Sequence, residues 1–286
     1  MSDRPMVGSG ADPLVVISAP NGARLDKRGH RAVPLTATEI AECAQGLVEQ
    51  GVSVLHLHVR DENGAHVLDA GRYRDAMAAV RERVGRRLVL QATTEAVGRY
   101  DRRQQMALVR ELRPEAVSLA LRELCPDAAA EAEAGAFFRE LADYGSWPQY
   151  IVYSAEECRR FEALRQSGFF GTERPFALFV LGRYSDSLRG APRELDDFLE
   201  AFRPGAFPWS VCCFGPAESE AVCRAAAAGG HVRIGFENNR LLPDGTVARD
   251  NAELVAAELA LLDRSGVPRR PIASGDWVRT QLAGRQ

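Results

Sequence analysis

The sequence has no long apolar run of the kind that spans a membrane and no surplus of positive charge of the kind that binds nucleic acid. Its first residues also show no pattern of a secretory signal peptide. No apolar run approaches the roughly 20 residues of a membrane span, and residues 1–13 are polar and glycine-rich, without the apolar centre of a signal peptide. Lys and Arg number 36 against 39 Asp and Glu, a formal net charge of −3, so no basic excess indicates nucleic acid or anionic lipid. We expect a cytoplasmic protein with small-molecule partners.

Three further absences narrow the fold. The six cysteines include no Cys-x-x-Cys pair, so we interpret them as reduced core residues. No Gly-x-Gly-x-x-Gly turn follows a predicted strand, which counts against a dinucleotide-binding sheet. No linker rich in Pro, Gly or Ser divides the 286 residues, of which 46% are apolar. We therefore expect a flexible N-terminus over residues 1–13 and one domain over residues 14–286.

Short β-rich runs alternate with helical patterns along the chain. The predicted strands are Leu14–Ala19, Val52–Val59, Arg87–Thr93, Ala116–Leu121, Gln149–Tyr153, Phe176–Leu181, Trp209–Phe214 and His231–Phe236. The predicted helices are Thr36–Gln50, Ala70–Val84, Asp101–Leu112, Ala128–Tyr144, Ala155–Gln166, Glu194–Phe202, Pro216–Ala228 and Asn251–Ser265. A Thr-x-x-Glu pattern at Thr36 marks the start of the first helix. Eight β/α units predict an α/β fold, a single-domain TIM (β/α)8 barrel, with a doubly wound open sheet as the alternative.

His56 and His58 form the most informative pattern in the chain, which has only five histidines. Alternate residues of a strand point to the same side, so both imidazoles face one way. Near the other end of the chain, Arg233 and Glu237 share the face of a strand opposite its apolar residues. Two histidines and a carboxylate are a common catalytic zinc set. The alternative is two satisfied polar side chains on a half-buried strand.

The barrel gives these residues a common location. Active sites of such barrels lie at the carboxyl ends of the strands, and His56, His58 and Glu237 all fall at or just beyond a strand end. Closure of the barrel places strand 8 beside strand 1, two strands from strand 2, so Glu237 is within reach of the histidines. His231 begins its strand and is expected at the opposite end.

Several segments resemble the zinc-dependent β-keto acid cleavage enzymes, a family that includes the 3-keto-5-aminohexanoate cleavage enzyme. The resemblance runs from about Leu14 to Leu282. The matching segments are Pro34-Leu35-Thr36 with Glu39-Ile40-Ala41, His56-Leu57-His58-Val59-Arg60-Asp61 with Gly64, Val180-Leu181-Gly182, and Gly229 to Asn239 with Asn251-Ala252-Glu253-Leu254-Val255.

The resemblance implies a TIM barrel assembled as a homo-oligomer, a dimer or a tetramer, with zinc held by His56, His58 and Glu237. It also implies a reaction in which a β-keto acid and acetyl-CoA exchange parts, giving acetoacetate and a new acyl-CoA. Metal ions stabilise the negative charge that develops in such chemistry. Arg233 matches a residue that would stabilise negative charge on the substrate.

Two departures from the family pattern concern the catalytic base. The best-known members carry Asp, thought to be the base, directly after the zinc-ligand Glu, whereas this chain carries Asn238. An amide has no useful basicity, so Asn238 cannot be the base. Where those members have a Ser-Thr-Gly-Gly-like turn after strand 3, this chain has Gln91-Ala92-Thr93-Thr94-Glu95. We hypothesise that Glu95 supplies the missing carboxylate; the alternative is a solvated loop residue or a helix cap.

A third departure concerns the substrate. The segment Pro20-Asn21-Gly22-Ala23-Arg24 follows strand 1, and the enzyme acting on the amino-substituted substrate has Glu in place of Arg24. An arginine would repel a cationic amino group and attract an anion. We therefore expect a neutral or carboxylate-bearing β-keto acid to be preferred, with Asn21 also contacting the substrate. The alternative is an Arg24 that points to solvent or pairs with an acidic neighbour.

Three hydroxyl groups complete the candidate site. Ser118, near the end of strand 4, could orient the substrate carboxylate. The hydroxyls of Thr93 and Thr94 could bond the substrate, or could cap the helix that begins near Asp101.

Two other functions remain open at this stage. A zinc hydrolase or an aldolase-type lyase would need no CoA. A binding protein that kept the metal cleft but lost the usual aspartate would bind a keto acid without turnover.

Overall fold

A closed barrel of eight parallel strands forms the protein in the computed structural model, which describes residues 12–183 and 188–283. The expected flexible terminus over residues 1–13 lies outside the described residues as far as residue 11. Each strand pairs with the next, and β1 pairs with both β2 and β8. The predicted TIM barrel is confirmed, and the open sheet is excluded. The strands are β1 Val16–Ser18, β2 Val54–Leu57, β3 Val89–Thr93, β4 Ala116–Ala120, β5 Trp147–Val152, β6 Phe176–Leu181, β7 Trp209–Cys213 and β8 His231–Ile234.

Helices surround the barrel in the predicted order. Within the described residues they are α1 Ala37–Glu49, α2 Ala70–Val84, α3 Arg102–Leu112, α4 Leu121–Leu124, α5 Glu131–Tyr144, α6 Ala155–Gln166, α7 Glu194–Leu199, α8 Glu218–Ala227, α9 Asn251–Arg264 and α10 Gly275–Gln281. A 3-10 turn over Ala128–Ala130 precedes α5, where the sequence analysis predicted one continuous helix. The short helices α4 and α10 were not predicted.

The start of α1 shows how local chemistry sets an element. The Thr36 hydroxyl accepts a hydrogen bond from the Glu39 amide at 3.2 Å, and the Glu39 carboxylate accepts one from the Thr36 amide at 3.1 Å. This reciprocal capping satisfies two amides that have no partner inside the helix. The helix therefore begins where the Thr-x-x-Glu pattern predicted.

Alternation along each strand separates the two faces of the barrel wall. On β2, Leu55 and Leu57 belong to the large apolar cluster between strands and helices. Val54 points inward and packs with Trp147 and Phe176 in a second apolar cluster, which Val278 of α10 also joins. The helix α10 thus closes the amino-terminal end of the barrel, and the next inward residue of β2 is His56.

His231 lies at this amino-terminal end, as its place in the strand predicted. Its ring stacks on Phe176 at a centroid distance of 5.6 Å, and Nδ1 accepts a hydrogen bond from the Val15 amide at 3.1 Å. Burial lowers the pKa of His231 to about 3, so the ring is neutral and structural.

All six cysteines are free of disulfide bonds. Across residues 12–183 and 188–283, no helix has both the length and the apolar character needed to span a bilayer.

Two carboxyl groups are buried next to each other between α8 and α9. Glu218 and Glu258 are both fully buried. Ser219 Oγ donates a hydrogen bond to Glu258 Oε1 at 2.6 Å, and Asn239 Nδ2 donates one to Glu218 Oε2 at 3.3 Å. Burial and the proximity of Glu258 raise the pKa of Glu218 well above its usual range, and burial raises the pKa of Glu258 to about 7. The pair therefore holds protons in the folded protein that the unfolded chain releases.

This pair predicts a stability that falls with rising pH. Because the folded-state pKa values are raised, stability is fully present below about pH 4.5 and is lost as the pH rises through about 7. We expect Glu258→Gln, which keeps an acceptor for Ser219, to be more stable than wild type at pH 8 by on the order of 1–3 kcal/mol and equal to it at pH 5. Urea unfolding at the two pH values measures this.

The control is Glu220→Gln, which removes an exposed carboxylate from the same helix α8 and should leave the pH dependence unchanged. A Glu258→Gln protein with the wild-type pH dependence would show that the carboxyl is ionised in the fold.

Candidate metal centre and active site

The closure of the barrel brings the two separate sequence patterns together. His56 lies in β2 and His58 directly follows it, Glu237 follows β8, and β1 lies between the two strands. Gly235 adopts φ +151°, and a Cβ at this position would lie 2.3 Å from the carbonyl oxygen of Ala19. A side chain there would force the strands apart. Glu237 then donates its amide to the same carbonyl oxygen at 3.1 Å, which fixes the start of the turn.

The three side chains form a compact donor set. His56 Nε2 lies 3.1 Å from His58 Nε2, and Glu237 Oε2 lies 3.4 and 3.3 Å from these two nitrogens. Ligands in a tetrahedral zinc site with bonds of about 2.0–2.1 Å are separated by about 3.3 Å. The set of two nitrogens and one carboxylate oxygen therefore fits a metal ion by both chemistry and spacing.

Gln91 determines which nitrogen of His56 faces the centre. The register of β2 and β3 pairs the two residues, and Gln91 Oε1 lies 2.8 Å from His56 Nδ1. With the amide oxygen as acceptor, Nδ1 carries the proton and Nε2 presents its lone pair to the metal position. Burial lowers the pKa of His56, which favours the neutral ring that a metal requires.

His66 performs the same task for His58. His66 Nε2 lies 3.1 Å from the carbonyl oxygen of Glu95, so it donates, and His66 Nδ1 must then accept from His58 Nδ1 at 3.4 Å. Burial lowers the pKa of His66 to about 3, consistent with this neutral tautomer. The lone pair of His58 Nε2 is thus directed at the metal position.

Arg233 neutralises the Glu237 carboxylate. Its guanidinium is buried, and it donates to Glu237 Oε1 at 3.0 Å. Burial alone would raise the pKa of Glu237, but the charge of Arg233 holds that pKa well below the usual range. Glu237 is therefore an anion, as a metal ligand must be.

Glu95 lies beside the donor set. One carboxylate oxygen accepts from Arg183 at 2.8 Å, and the other lies 3.9 Å from His58 Nδ1. The guanidinium of Arg183 in turn stacks over Phe214 at 5.5 Å. Glu95 is not a solvated loop residue, because its side chain is only 19% exposed. It is not a helix cap either, because Asp101 caps the following helix.

The three predicted hydroxyl groups have different surroundings. Thr93 lines the centre, but its hydroxyl accepts from the Glu95 amide at 3.1 Å and shapes the Glu95 turn. Thr94 Oγ1 donates to the carbonyl oxygen of Ser118 at 3.2 Å, away from the cavity. Neither threonine caps α3. The Ser118 hydroxyl is buried inside the barrel with no hydrogen-bond partner among the described residues.

Asn21 has a different task from the expected substrate contact. Its Nδ2 donates to the carbonyl oxygens of Pro34 and His58, both at 2.9 Å, and its Oδ1 accepts from the His58 amide at 3.2 Å. Both amide protons are thus used within the protein. Asn21 fixes the backbone of His58 and has no amide proton left for a substrate.

A cavity of about 570 Å³ opens from Glu95 and Glu237 to the surface, and Arg24 and Asn238 line it. Arg24 is exposed, on the loop after β1, and does not contribute to the narrow space around His56 and Thr93. The Asn238 amide is buried and makes no side-chain hydrogen bond among the described residues.

Three residues that shape the centre were not predicted as site residues. They are Gln91, His66 and Arg183. The place of Gln91 on the inner face of its strand was visible, but the partner depended on the register of β2 and β3. The turn before His66 carries an Asn63-Gly64 hairpin signal, but the contact of His66 with His58 was not predicted from it.

Known proteins resemble this chain over nearly its whole length. A family model described as "beta-keto acid cleavage enzyme" matches residues 13–283. The 3-keto-5-aminohexanoate cleavage enzyme of Fusobacterium nucleatum subsp. nucleatum is 30% identical over 278 residues, covering 95% of this chain and 98% of the relative. The 3-oxoadipate:acetyl-CoA acetyltransferase of Cupriavidus necator is 26% identical, covering 94% of each chain.

Solved structures confirm the fold. The binary complex of ObcA with oxaloacetate superposes with a TM-score of 0.68 at 16% identity, over 88% of this chain and 67% of that one. The family model matches nearly the whole chain, and the relatives are similar over their full length. The chain therefore belongs to the β-keto acid cleavage enzyme family.

Proposed function

We propose that this enzyme exchanges acyl groups between a β-keto acid and acetyl-CoA, with zinc as its metal. The acetyl group of the thioester joins the CH2–COO⁻ fragment of the keto acid, giving acetoacetate. The original acyl group leaves on the CoA sulfur as a new acyl-CoA. Every atom of the two substrates is recovered in the two products, so no oxidant or reductant is needed.

The observation that carries this proposal is the position of Glu95 beside the His56, His58 and Glu237 donor set. A carbon acid needs a base and a nearby positive charge in one place. A zinc ion held by the donor set would supply Lewis-acid polarisation of the substrate oxygens. The protein supplies the base and the surrounding charges.

Glu95 is the proposed base. Its oxygen near His58 would remove the proton from the carbon between the keto and carboxylate groups, while Arg183 holds the other oxygen at 2.8 Å. Arg233 would stabilise the negative charge that develops, since it is buried at the floor of the site. The amide of Asn238 would hydrogen-bond a substrate oxygen, because it has no partner among the described residues.

Further proposals concern the setting of the enzyme. The six free cysteines support a reducing compartment, and we propose the cytoplasm. The resemblance to the family supports a homo-oligomer, a dimer or a tetramer.

The metal is tested by elemental analysis of purified protein by plasma mass spectrometry. We expect about one zinc per chain in wild type and little or no zinc in His58→Ala and Glu237→Ala, because each removes one of three ligands. The matched control is His30→Gln, which changes a half-buried histidine outside the donor set. Wild type that stays metal-free after addition of zinc, or variants that keep full occupancy, would exclude this site.

The base is tested by Glu95→Gln. We expect kcat for conversion of a β-keto acid with acetyl-CoA to fall by about 100-fold or more, with zinc content unchanged, because the amide cannot accept the proton. Glu62→Gln is the control, since Glu62 is an exposed carboxylate with a side chain 75% exposed. Nearly full turnover by Glu95→Gln refutes the assignment.

The same assay separates the other candidate functions. Turnover that needs no CoA thioester would indicate a hydrolase or an aldolase-type lyase. Tight keto acid binding without turnover by any acyl donor would indicate a binding protein.

Arg24 is proposed to select the keto acid. We expect wild type to prefer neutral or carboxylate-bearing β-keto acids over 3-keto-5-aminohexanoate, since Arg24 repels its ammonium group. Arg24→Glu should raise kcat/KM for the amino substrate about tenfold, equivalent to about 1.4 kcal/mol. Arg24→Gln separates loss of repulsion from gain of attraction. Efficient turnover of the amino substrate by wild type contradicts this role.

A further inference from the structure

The cavity above the metal centre is larger than a small keto acid needs. Its volume of about 570 Å³ is typical of sites that enclose a ligand of drug size, about 300–1,000 Å³. The loops after β1, β6, β7 and β8 form its walls, and Glu95 and Glu237 lie at its floor. There is room for a second, longer substrate between the metal centre and solvent.

The floor and the mouth of this cavity differ in charge. The two carboxylates at the floor, Glu95 and Glu237, are paired with Arg183 and Arg233. At the mouth, Arg189 and Arg240 are exposed lining residues. The whole chain carries a formal net charge of −3, so the positive mouth is a local feature that would attract anions.

Arg240 is held in place at this mouth. Its Nη1 donates to the carbonyl oxygen of Gly29 on the loop after β1 at 2.6 Å. A guanidinium has five N–H donors, and this contact uses one. The group is thus fixed between two loops while keeping donors for an anion.

Apolar side chains lie at the same mouth. The described residues include three exposed large apolar side chains, and two of them, Leu188 at 44% exposure and Val247 at 61%, line this cavity. Leu188 directly precedes Arg189. Val247 closes the hairpin that begins one residue after Arg240, where it pairs with Leu241. Exposed apolar surface beside arginines matches a ligand with both apolar and multiply charged parts.

We infer that Arg189 and Arg240 bind the phosphate groups of the acyl-CoA, with Leu188 and Val247 packed against its organic part. The thioester then extends inward to Glu95 and the metal centre. This inference rests on the proposed function, because it concerns the second substrate of that reaction. Arginine suits the task because its planar donor groups match phosphate oxygens.

The test compares two acyl donors that differ in their phosphates. Acetyl-CoA carries them, and S-acetylpantetheine does not. For Arg189→Ala/Arg240→Ala we expect KM for acetyl-CoA to rise about tenfold or more, with kcat within about twofold, while KM for S-acetylpantetheine changes far less. The dependence of acetyl-CoA KM on salt should also weaken, since two charge contacts are lost. Arg269→Ala, which removes an exposed arginine from the amino-terminal end of the barrel, is the control.

Two outcomes overturn the inference. An unchanged KM for acetyl-CoA means that the phosphates lie elsewhere. A rise in KM for the keto acid instead means that the arginines bind a second carboxylate of that substrate.

Calorimetric binding of CoA to the zinc-loaded protein keeps the inference separate from the proposed function. If wild type turns over no acyl donor, the proposed function fails, and CoA binding still tests the arginines. Binding weakened at least about fivefold in the double variant supports their role. Equal binding by wild type and double variant refutes it.

Discussion

The pairing of β1 with both β2 and β8 is the constraint on which the rest of the site depends. In an open sheet, strands 2 and 8 could lie far apart, and the histidines and Glu237 would have no common ion to bind. The seam also restricts substitution, because Gly235 passes so close to the carbonyl of Ala19 that no side chain fits. The candidate metal centre therefore requires the closed barrel.

The charged groups at the floor of the cavity are paired, whereas those at its mouth give a positive charge. Buried ions are costly unless they are paired, and at the floor each carboxylate has its own arginine, Arg233 for Glu237 and Arg183 for Glu95. These pairs add no net charge of their own, so the charge of a bound metal and of the substrates would dominate there. The arginines at the mouth face solvent, where they act on the approach of anions. The two levels serve binding in different ways.

Much of this architecture follows from local rules, and that part was predictable. Alternating apolar residues gave eight strands, and the shared face of His56 and His58 followed from the strand period. What the sequence could not give was contacts between elements. The register that sets Gln91 beside His56 arises only when the two strands are aligned. The turn before His66 is local, but the contact between the His58 and His66 rings depends on how the two arms of that hairpin pair. The hydrogen bonds of Asn21 could not be predicted for a similar reason, because its partners Pro34 and His58 lie 13 and 37 residues away.

The geometry of a barrel is compatible with the proposed base at Glu95 in place of the aspartate expected at Asn238. Eight loops converge above one centre, so a carboxylate needed there can come from the loop after β3 as well as from the loop after β8. A second carboxylate at position 238 would adjoin Glu237, whose single buried arginine is already engaged. Glu95 instead arrives with Arg183, a cation of its own from the end of β6. The proposed base Glu95 would therefore be separate from the proposed metal ligand Glu237, and each carboxylate would keep its own arginine partner.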